Sequence, residues 1–235
     1  MKINKFNSLE EASASAGEAL NKLLNENKPT PTLLLLSAGS AFAILDYINA
    51  SSLSENLTIT MLDERFSEDP LVNNFLQLQK LDFYTQAVSQ DVNFIGTLPR
   101  KNESPEDLAH RLNEAISQWL NNNKEGKIFA TFGMGADGHT AGIFPETTDK
   151  IFAKKFEAEK LFVYNNALGK HQFTQRITAS FTLFKKIDSA VVFICGKTKA
   201  QKFNALINKQ SPAHLLPALG IFESKQLQIF SDILE

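Results

Sequence analysis

Apolar runs and helical periodicities alternate along this chain. Leu9, Ala12, Ala16, Leu20 and Leu23 recur at helical spacing behind Ser8-Leu-Glu-Glu11, which has the form of a capping box. The polar stretch from Asn25 to Pro31 ends that helix, and the continuous run Thr32-Leu-Leu-Leu-Leu-Ser37 predicts a buried strand. Gly39-Ser40 then reads as a turn and N-cap, opening a helix over residues 41–48. A second strand is expected over 57–62, running into Asp63-Glu64-Arg65, followed by helical patterns over 70–87 and a short strand over 92–95. Ser104-Pro-Glu-Asp107 starts another helix, with proline in its first position and acids in its first turn, extending to Leu120. Further strands are expected over 128–132, 161–164, 190–195 and 226–230, with a helix over 199–207. This alternation predicts an α/β fold, a three-layer Rossmann-like arrangement of a mostly parallel sheet with helices on both faces. No repeat, low-complexity tract or linker interrupts it, so a single domain over 1–235 is expected.

Composition narrows the function mainly by exclusion. A formal charge of −2 over 235 residues gives no electrostatic footprint for nucleic acid or an anionic membrane. The single cysteine, Cys195, sits in the apolar run Ala190-Val-Val-Phe-Ile-Cys195, which suits a small buried residue better than a reactive thiol. Met1-Lys-Ile-Asn-Lys-Phe6 lacks the apolar run of a signal peptide, and Leu33–Leu36 is too short to span a bilayer. A cytoplasmic protein with a small-molecule partner is expected, a monomer or small homo-oligomer.

The candidate chemistry lies at strand ends. Phe132-Gly-Met-Gly-Ala-Asp-Gly-His-Thr-Ala-Gly-Ile-Phe-Pro145 follows a strand-like run, and its glycines let the backbone turn tightly and approach a ligand. Among them, His139 is suited to general acid–base work near neutral pH, and Asp137 is placed to orient it. Ser37-Ala-Gly-Ser40 joins a strand to a helix start, where backbone N–H groups (Gly39 among them) and the hydroxyls of Ser37 and Ser40 suit a phosphate. Arg65 and Arg176 offer planar, bidentate contacts to phosphate or carboxylate, and Lys199 stands at a helix opening just past a strand. Asp63 and Glu64 are open to acid–base, metal-ligating or salt-bridge roles. Of the other histidines, His110 and His214 read as surface or structural, while His171, near Arg176 in a polar loop, is a minor candidate. There is no histidine/carboxylate spacing diagnostic of a metal site, no cysteine cluster and no G-x-S-x-G elbow. In an open parallel sheet, loops at strand carboxyl ends converge on one crevice, so the three clusters that follow expected strands, Ser37–Ser40, Asp63–Arg65 and Gly133–His139, are expected to meet.

The same loop also satisfies a dinucleotide fingerprint, since Gly133, Gly135 and Gly138 match G-x-G-x-x-G, with Glu157 and Glu159 near the spacing of a ribose-binding acid. Pro145 argues against the long helix that such a fingerprint opens.

Taken together, these segments resemble the 6-phosphogluconolactonase family, within the wider group that includes glucosamine-6-phosphate deaminases. Gly133–Pro145 matches the pattern G-M-G-x-D-G-H-T-A-S-L-F-P; Asp63-Glu-Arg65 with Asn74 is similar to D-E-R…S-N; Arg176-Ile-Thr178 resembles R-I-T; and Gly196-Lys-Thr-Lys-Ala200 resembles G-x-x-K-A. Departures are the first loop, Ser37-Ala-Gly-Ser-Ala-Phe42 against S-G-G-S-T-P, and Lys170-His-Gln-Phe-Thr-Gln175, which lacks the prolines usual before R-I-T. In the deaminase branch a glutamate stands five residues after the histidine, where this chain has Phe144. The resemblance implies hydrolysis of 6-phospho-D-glucono-1,5-lactone in the oxidative pentose-phosphate pathway, without metal or organic cofactor. It implies His139 as general base oriented by Asp137, Arg65 near the sugar acid or oxyanion, and a substrate site of Ser37, Gly39, Ser40, Asp63, Gly135, Arg176 and Lys199. Alternatives are a sugar-phosphate-binding protein with weak catalysis, a deaminase-like isomerase and a dinucleotide-binding oxidoreductase.

Overall fold

The computed structural model describes residues 2–234. Its main sheet has seven strands, β1 (Lys2–Lys5), β2 (Thr32–Leu36), β3 (Leu57–Met61), β5 (Asn93–Phe94), β6 (Lys127–Gly133), β9 (Ser189–Phe193) and β10 (Gln226–Ser231), in the order β1-β10-β9-β6-β2-β3-β5. All of its pairings are parallel. A second sheet, β4 (Asp63–Arg65), β8 (Gln175–Ala179) and β7 (Phe162–Asn166), is antiparallel in the order β4-β8-β7. Strand β7 is the run predicted near 161–164, so it belongs to this side sheet and not to the parallel one.

The unbroken leucine run of β2 follows from its central place. Leu33 and Leu35 face one apolar cluster, Leu34 and Leu36 the other, and all four are fully buried. A strand covered on both faces has no solvent side to alternate toward. On one face α1 (Leu9–Glu26) contributes Ala12, Ala16, Leu20 and Leu24; on the other α4 (Pro105–Asn122) contributes Leu108, Leu112 and Ile116. Both helices start as their sequences announce. The Ser8 hydroxyl accepts the Glu11 N–H, and Ser104 with Asp107 forms a complete capping box ahead of Pro105. None of the helices in the described residues is long and apolar enough to cross a membrane.

Several elements differ from expectation. Residues 41–48 do not form an α-helix: Gly39–Tyr47 winds as a 3-10 helix. Its end is fixed from α1, where the Asn21 amide donates to the Tyr47 carbonyl at 2.8 Å and its oxygen accepts the Asn49 N–H at 2.9 Å. The helical stretch 70–87 divides into α2 (Asn74–Leu78) and α3 (Asp82–Ser89), with Leu81 extended between them. Helix α5 (Asp149–Phe156), capped by Thr148, strands β1 and β8 and the short α6 (Phe181–Phe184) are not announced by the pattern. Helix α7 (Ala200–Ile207) lies where expected.

Candidate active site

The carboxyl ends of β2, β6 and β9 and the inner edge of the side sheet meet around a cleft of about 190 Å³. Ser37 comes directly after the end of β2 and Gly39 and Ser40 from the start of the 3-10 helix that follows it; Gly135 and His139 come from the loop after β6, and Lys199 from the turn after β9. Asp63 and Arg65 enter on β4 and Arg176 on β8, and Asn74 enters from the first turn of α2. Every residue of the site that the resemblance implies lines this cleft except Asp137, which hydrogen-bonds His139 from outside it; of the other candidates, Glu64 and His171 do not line it.

The loop after β6 is built to hold that histidine. The Gly135 N–H donates to the His139 carbonyl at 2.9 Å, and the Gly138 N–H to the Gly135 carbonyl at 3.0 Å, with Gly138 at φ 90°. A Cβ on Gly135 would lie 2.2 Å from the His139 ring, so only glycine lets the backbone pass there. Asp137 Oδ1 accepts both the His139 backbone N–H at 3.1 Å and, at 2.6 Å, its Nδ1–H. With Nδ1 so occupied, Nε2 is the nitrogen of the neutral ring that is free to take a proton. Burial works to raise the Asp137 carboxyl, but the His139 hydrogen bond and charge hold it below the usual range. Beneath the imidazole lies fully buried Phe144, with centroids 4.7 Å apart. The loop does not continue into a helix after its glycines, since α5 begins only at Asp149, so the G-x-G-x-x-G match lacks the helix N-terminus a dinucleotide requires.

Strand alternation sorts the charged triplet. Asp63 and Arg65 face the cleft, and Asp63 forms a buried ion pair with Arg176, each about one-twentieth exposed. Arg65 stands directly opposite Arg176 in the antiparallel ladder. Burial, then the Arg176 charge, lowers the Arg65 pKa, against the attraction of Asp63 and Glu64. The Arg65 guanidinium lies over the Phe173 ring at 4.8 Å. Glu64 points the other way and neither lines the cleft nor pairs with the Arg65 guanidinium. Its carboxylate accepts the N–H groups of Arg65 (2.7 Å), Asn74 (2.6 Å) and Phe75 (3.0 Å) and the Thr97 hydroxyl (2.6 Å). It thereby ties β4 to α2, which sets Asn74 beside the cleft.

Burial pushes the Glu64 carboxyl up to about 7, outweighing hydrogen bonds that favour its ionised form. Between its ordinary pKa of 4.5 and about 7 the folded protein keeps a proton the unfolded chain has lost. Stability from this group is complete below that window and lost as pH rises through it. Relative to Glu64→Gln, which cannot titrate, the wild type is expected to lose about 3 kcal/mol between pH 4.5 and 7.5. Urea unfolding of both proteins across that range checks it; a pH-independent difference contradicts it.

On the opposite flank of the cleft, Lys199 Nζ lies 3.3 Å from Ser40 Oγ, and burial lowers the lysine pKa. Gly39 has φ 65°, whereas Ala38 is extended at φ −90°, so the alanine departing from the family loop occupies a backbone any residue adopts. The Ser37 N–H is anchored to Thr131 Oγ1 of β6 at 2.9 Å. Cys195 is buried, with its thiol pushed up to about 11 chiefly by burial, so it is a packing residue. His110 sits exposed on α4 facing Glu114, and His214 packs away from the cleft near Asp149. His171 lies much nearer, 6.1 Å from His139 between ring centroids.

Fold and site together define an open parallel α/β protein with a cationic, histidine-bearing cleft at its strand carboxyl ends. The chain belongs to the family described as glucosamine-6-phosphate isomerases/6-phosphogluconolactonase, whose sequence model matches residues 8–230. It is 24% identical over 169 residues to a 6-phosphogluconolactonase of Helicobacter pylori, covering 72% of this chain and 68% of that one. A 6-phosphogluconolactonase of Chlamydia trachomatis is 32% identical over 76 residues, a match spanning 32% of this chain and 27% of the relative. The crystal structure of a 6-phosphogluconolactonase from Shewanella baltica superposes with a TM-score of 0.78 at 18% identity, covering 98% of this chain and 97% of the other.

Proposed function

We propose that this protein hydrolyses 6-phospho-D-glucono-1,5-lactone to 6-phosphogluconate. The observation that carries this reading is the His139–Asp137 pair presented on a cleft whose other groups are Arg65, Arg176, Lys199 and the Ser37–Ser40 loop. The relatives named as 6-phosphogluconolactonases support it. Phe144, where the deaminase branch has a glutamate, opposes amino-sugar chemistry, because a buried phenyl ring cannot carry the proton needed for ring opening.

In this reading Nε2 of His139 takes a proton from water as its oxygen attacks the lactone carbonyl, and Asp137 stabilises the imidazolium that forms. Arg65 lies toward the developing oxyanion. When the C–O bond to the ring oxygen breaks, His139 returns the proton to that oxygen, and the new carboxylic acid ionises. Ser40, Gly39, Lys199 and Arg176 hold the distant phosphate, so binding energy far from the reacting carbon fixes its position. Asp63 keeps Arg176 in place.

Lys199→Ala tests the phosphate half of this site. The Michaelis constant for the phosphorylated lactone is expected to rise about tenfold or more, the loss of a charge-assisted contact, while unphosphorylated gluconolactone is handled alike by both proteins. An unaltered constant for the phosphorylated substrate removes Lys199 from that role.

A further inference from the structure

The loop joining β7 to β8 departs from the family pattern, carrying Lys170-His-Gln-Phe173 in place of prolines. It is closely tied to its surroundings. The Ala167 N–H donates to the Thr174 carbonyl at 2.7 Å, and the His171 N–H to the Ala167 carbonyl at 3.2 Å. Lys170 Nζ reaches the buried carboxylate of Glu146 at 2.7 Å, just past the end of the His139 loop. Within this frame the Phe173 N–H donates to His171 Nδ1 at 3.1 Å, the geometry of an Asx-type turn made by an imidazole. That bond and the phenyl rings packed on either side, Phe144 and Phe173, together set the rotation of the ring.

So fixed, the His171 ring joins two sets of contacts. On one side it packs on Phe144 at 5.4 Å and meets the His139 ring edge-on at 6.1 Å and 76°. On the other it packs on Phe173 at 5.7 Å, whose face carries the Arg65 guanidinium at 4.8 Å. Phe144 in turn lies under both His139 and the Arg176 guanidinium, the latter 5.5 Å from its centroid. Base and arginines thus rest on one continuous aromatic layer, of which His171 is the joint. It does not line the cleft itself.

We propose that His171 is a positioning residue: wedged between Phe144 and Phe173, its ring sets the His139 imidazole and the Arg65 guanidinium in register with each other. The inference rests on the proposed lactonase chemistry, in which a base and an arginine must reach one carbonyl together. A small misplacement of either group costs rate steeply. Burial and the neighbouring guanidiniums of Arg176 and Arg65, opposed by Asp137, favour the uncharged imidazole, consistent with a ring that acts by packing.

Two substitutions separate ring from turn. His171→Phe keeps the aromatic wedge and loses the acceptor; His171→Asn keeps an acceptor for the Phe173 N–H and loses the ring. The expected result is kcat within about threefold of wild type for His171→Phe and lowered about tenfold or more for His171→Asn, with little change in KM. The His139 imidazole nitrogen resonances, followed by NMR without substrate, should shift in His171→Asn and return toward wild type in His171→Phe. Wild-type kcat in His171→Asn overturns the proposal, as does equal impairment of both variants. Should the wild type not hydrolyse the lactone, the proposed function fails separately; the His139 resonances still decide the packing role, and unshifted resonances in His171→Asn overturn it.

Discussion

Replacing His139 with alanine is expected to lower turnover of the phosphorylated lactone by about 10²–10⁴-fold, the usual worth of a positioned general base. The side chain lines the cleft, and Asp137 takes its Nδ1–H at 2.6 Å, leaving Nε2 for the proton of water. Alanine also opens space above Phe144 but breaks no buried ion pair, so the fold should persist. The proposed phosphate contacts of Ser40, Arg176 and Lys199 are untouched, and KM should move little. Steady-state kinetics beside a thermal melt checks both halves. Turnover within tenfold of wild type, in a folded variant, removes His139 as the base.

The largest expected effect on stability comes from Asp63→Asn. Arg176 is almost fully buried and its charge is neutralised by Asp63, while Arg65 faces it across the ladder. Removing the carboxylate charge leaves two guanidiniums opposite each other in a poorly solvated place. Breaking a buried pair from one side costs roughly 3–5 kcal/mol, and the amide oxygen that remains to accept a hydrogen bond puts this variant near the lower figure. In a chain of this length about 3 kcal/mol corresponds to a fall in Tm of roughly 6–12 °C. The proposed product, 6-phosphogluconate, by supplying anions to both arginines, should restore more of the melting temperature in the variant than in wild type. A Tm unchanged within about 2 °C, against that expected fall, contradicts the role given to the pair.

What could be read before the structure, and what could not, follows from the range of the interactions concerned. Strands β2, β6 and β9 lie inside the parallel sheet, so burial on both faces writes an apolar run directly into the chain. The caps of α1 and α4 are local hydrogen bonds between residues three apart. By contrast β8 carries Gln175 and Arg176 at its start, and the partner that makes Arg176 tolerable in a buried strand is 113 residues away. Strand β1 is an edge whose burial is only partial, so its pattern is weak.

The site divides in the same way. Gly135, Asp137 and His139 form a local device, and spacing alone suggested their partnership. Arg65, Arg176 and Lys199 stood out as anion-binding side chains; the place of Arg65 after a predicted strand suggested that it meets the His139 loop, whereas the joining of Arg176 and Lys199 to them was implied by the family resemblance, and the sheet order explains both. The opposite facing of Asp63 and Glu64 needed the observation that the triplet forms a strand with period two. His171 was legible only as a histidine near an arginine, because the His139 and Phe144 rings that it meets come from another loop of the chain.

The most direct measurement is hydrolysis of freshly generated 6-phospho-D-glucono-1,5-lactone by the wild-type protein, followed by proton release against the spontaneous rate. The account predicts an enzyme-proportional acceleration that 6-phosphogluconate inhibits competitively. A rate equal to spontaneous hydrolysis, from protein that still binds 6-phosphogluconate, contradicts it and leaves a sugar-phosphate-binding protein in its place.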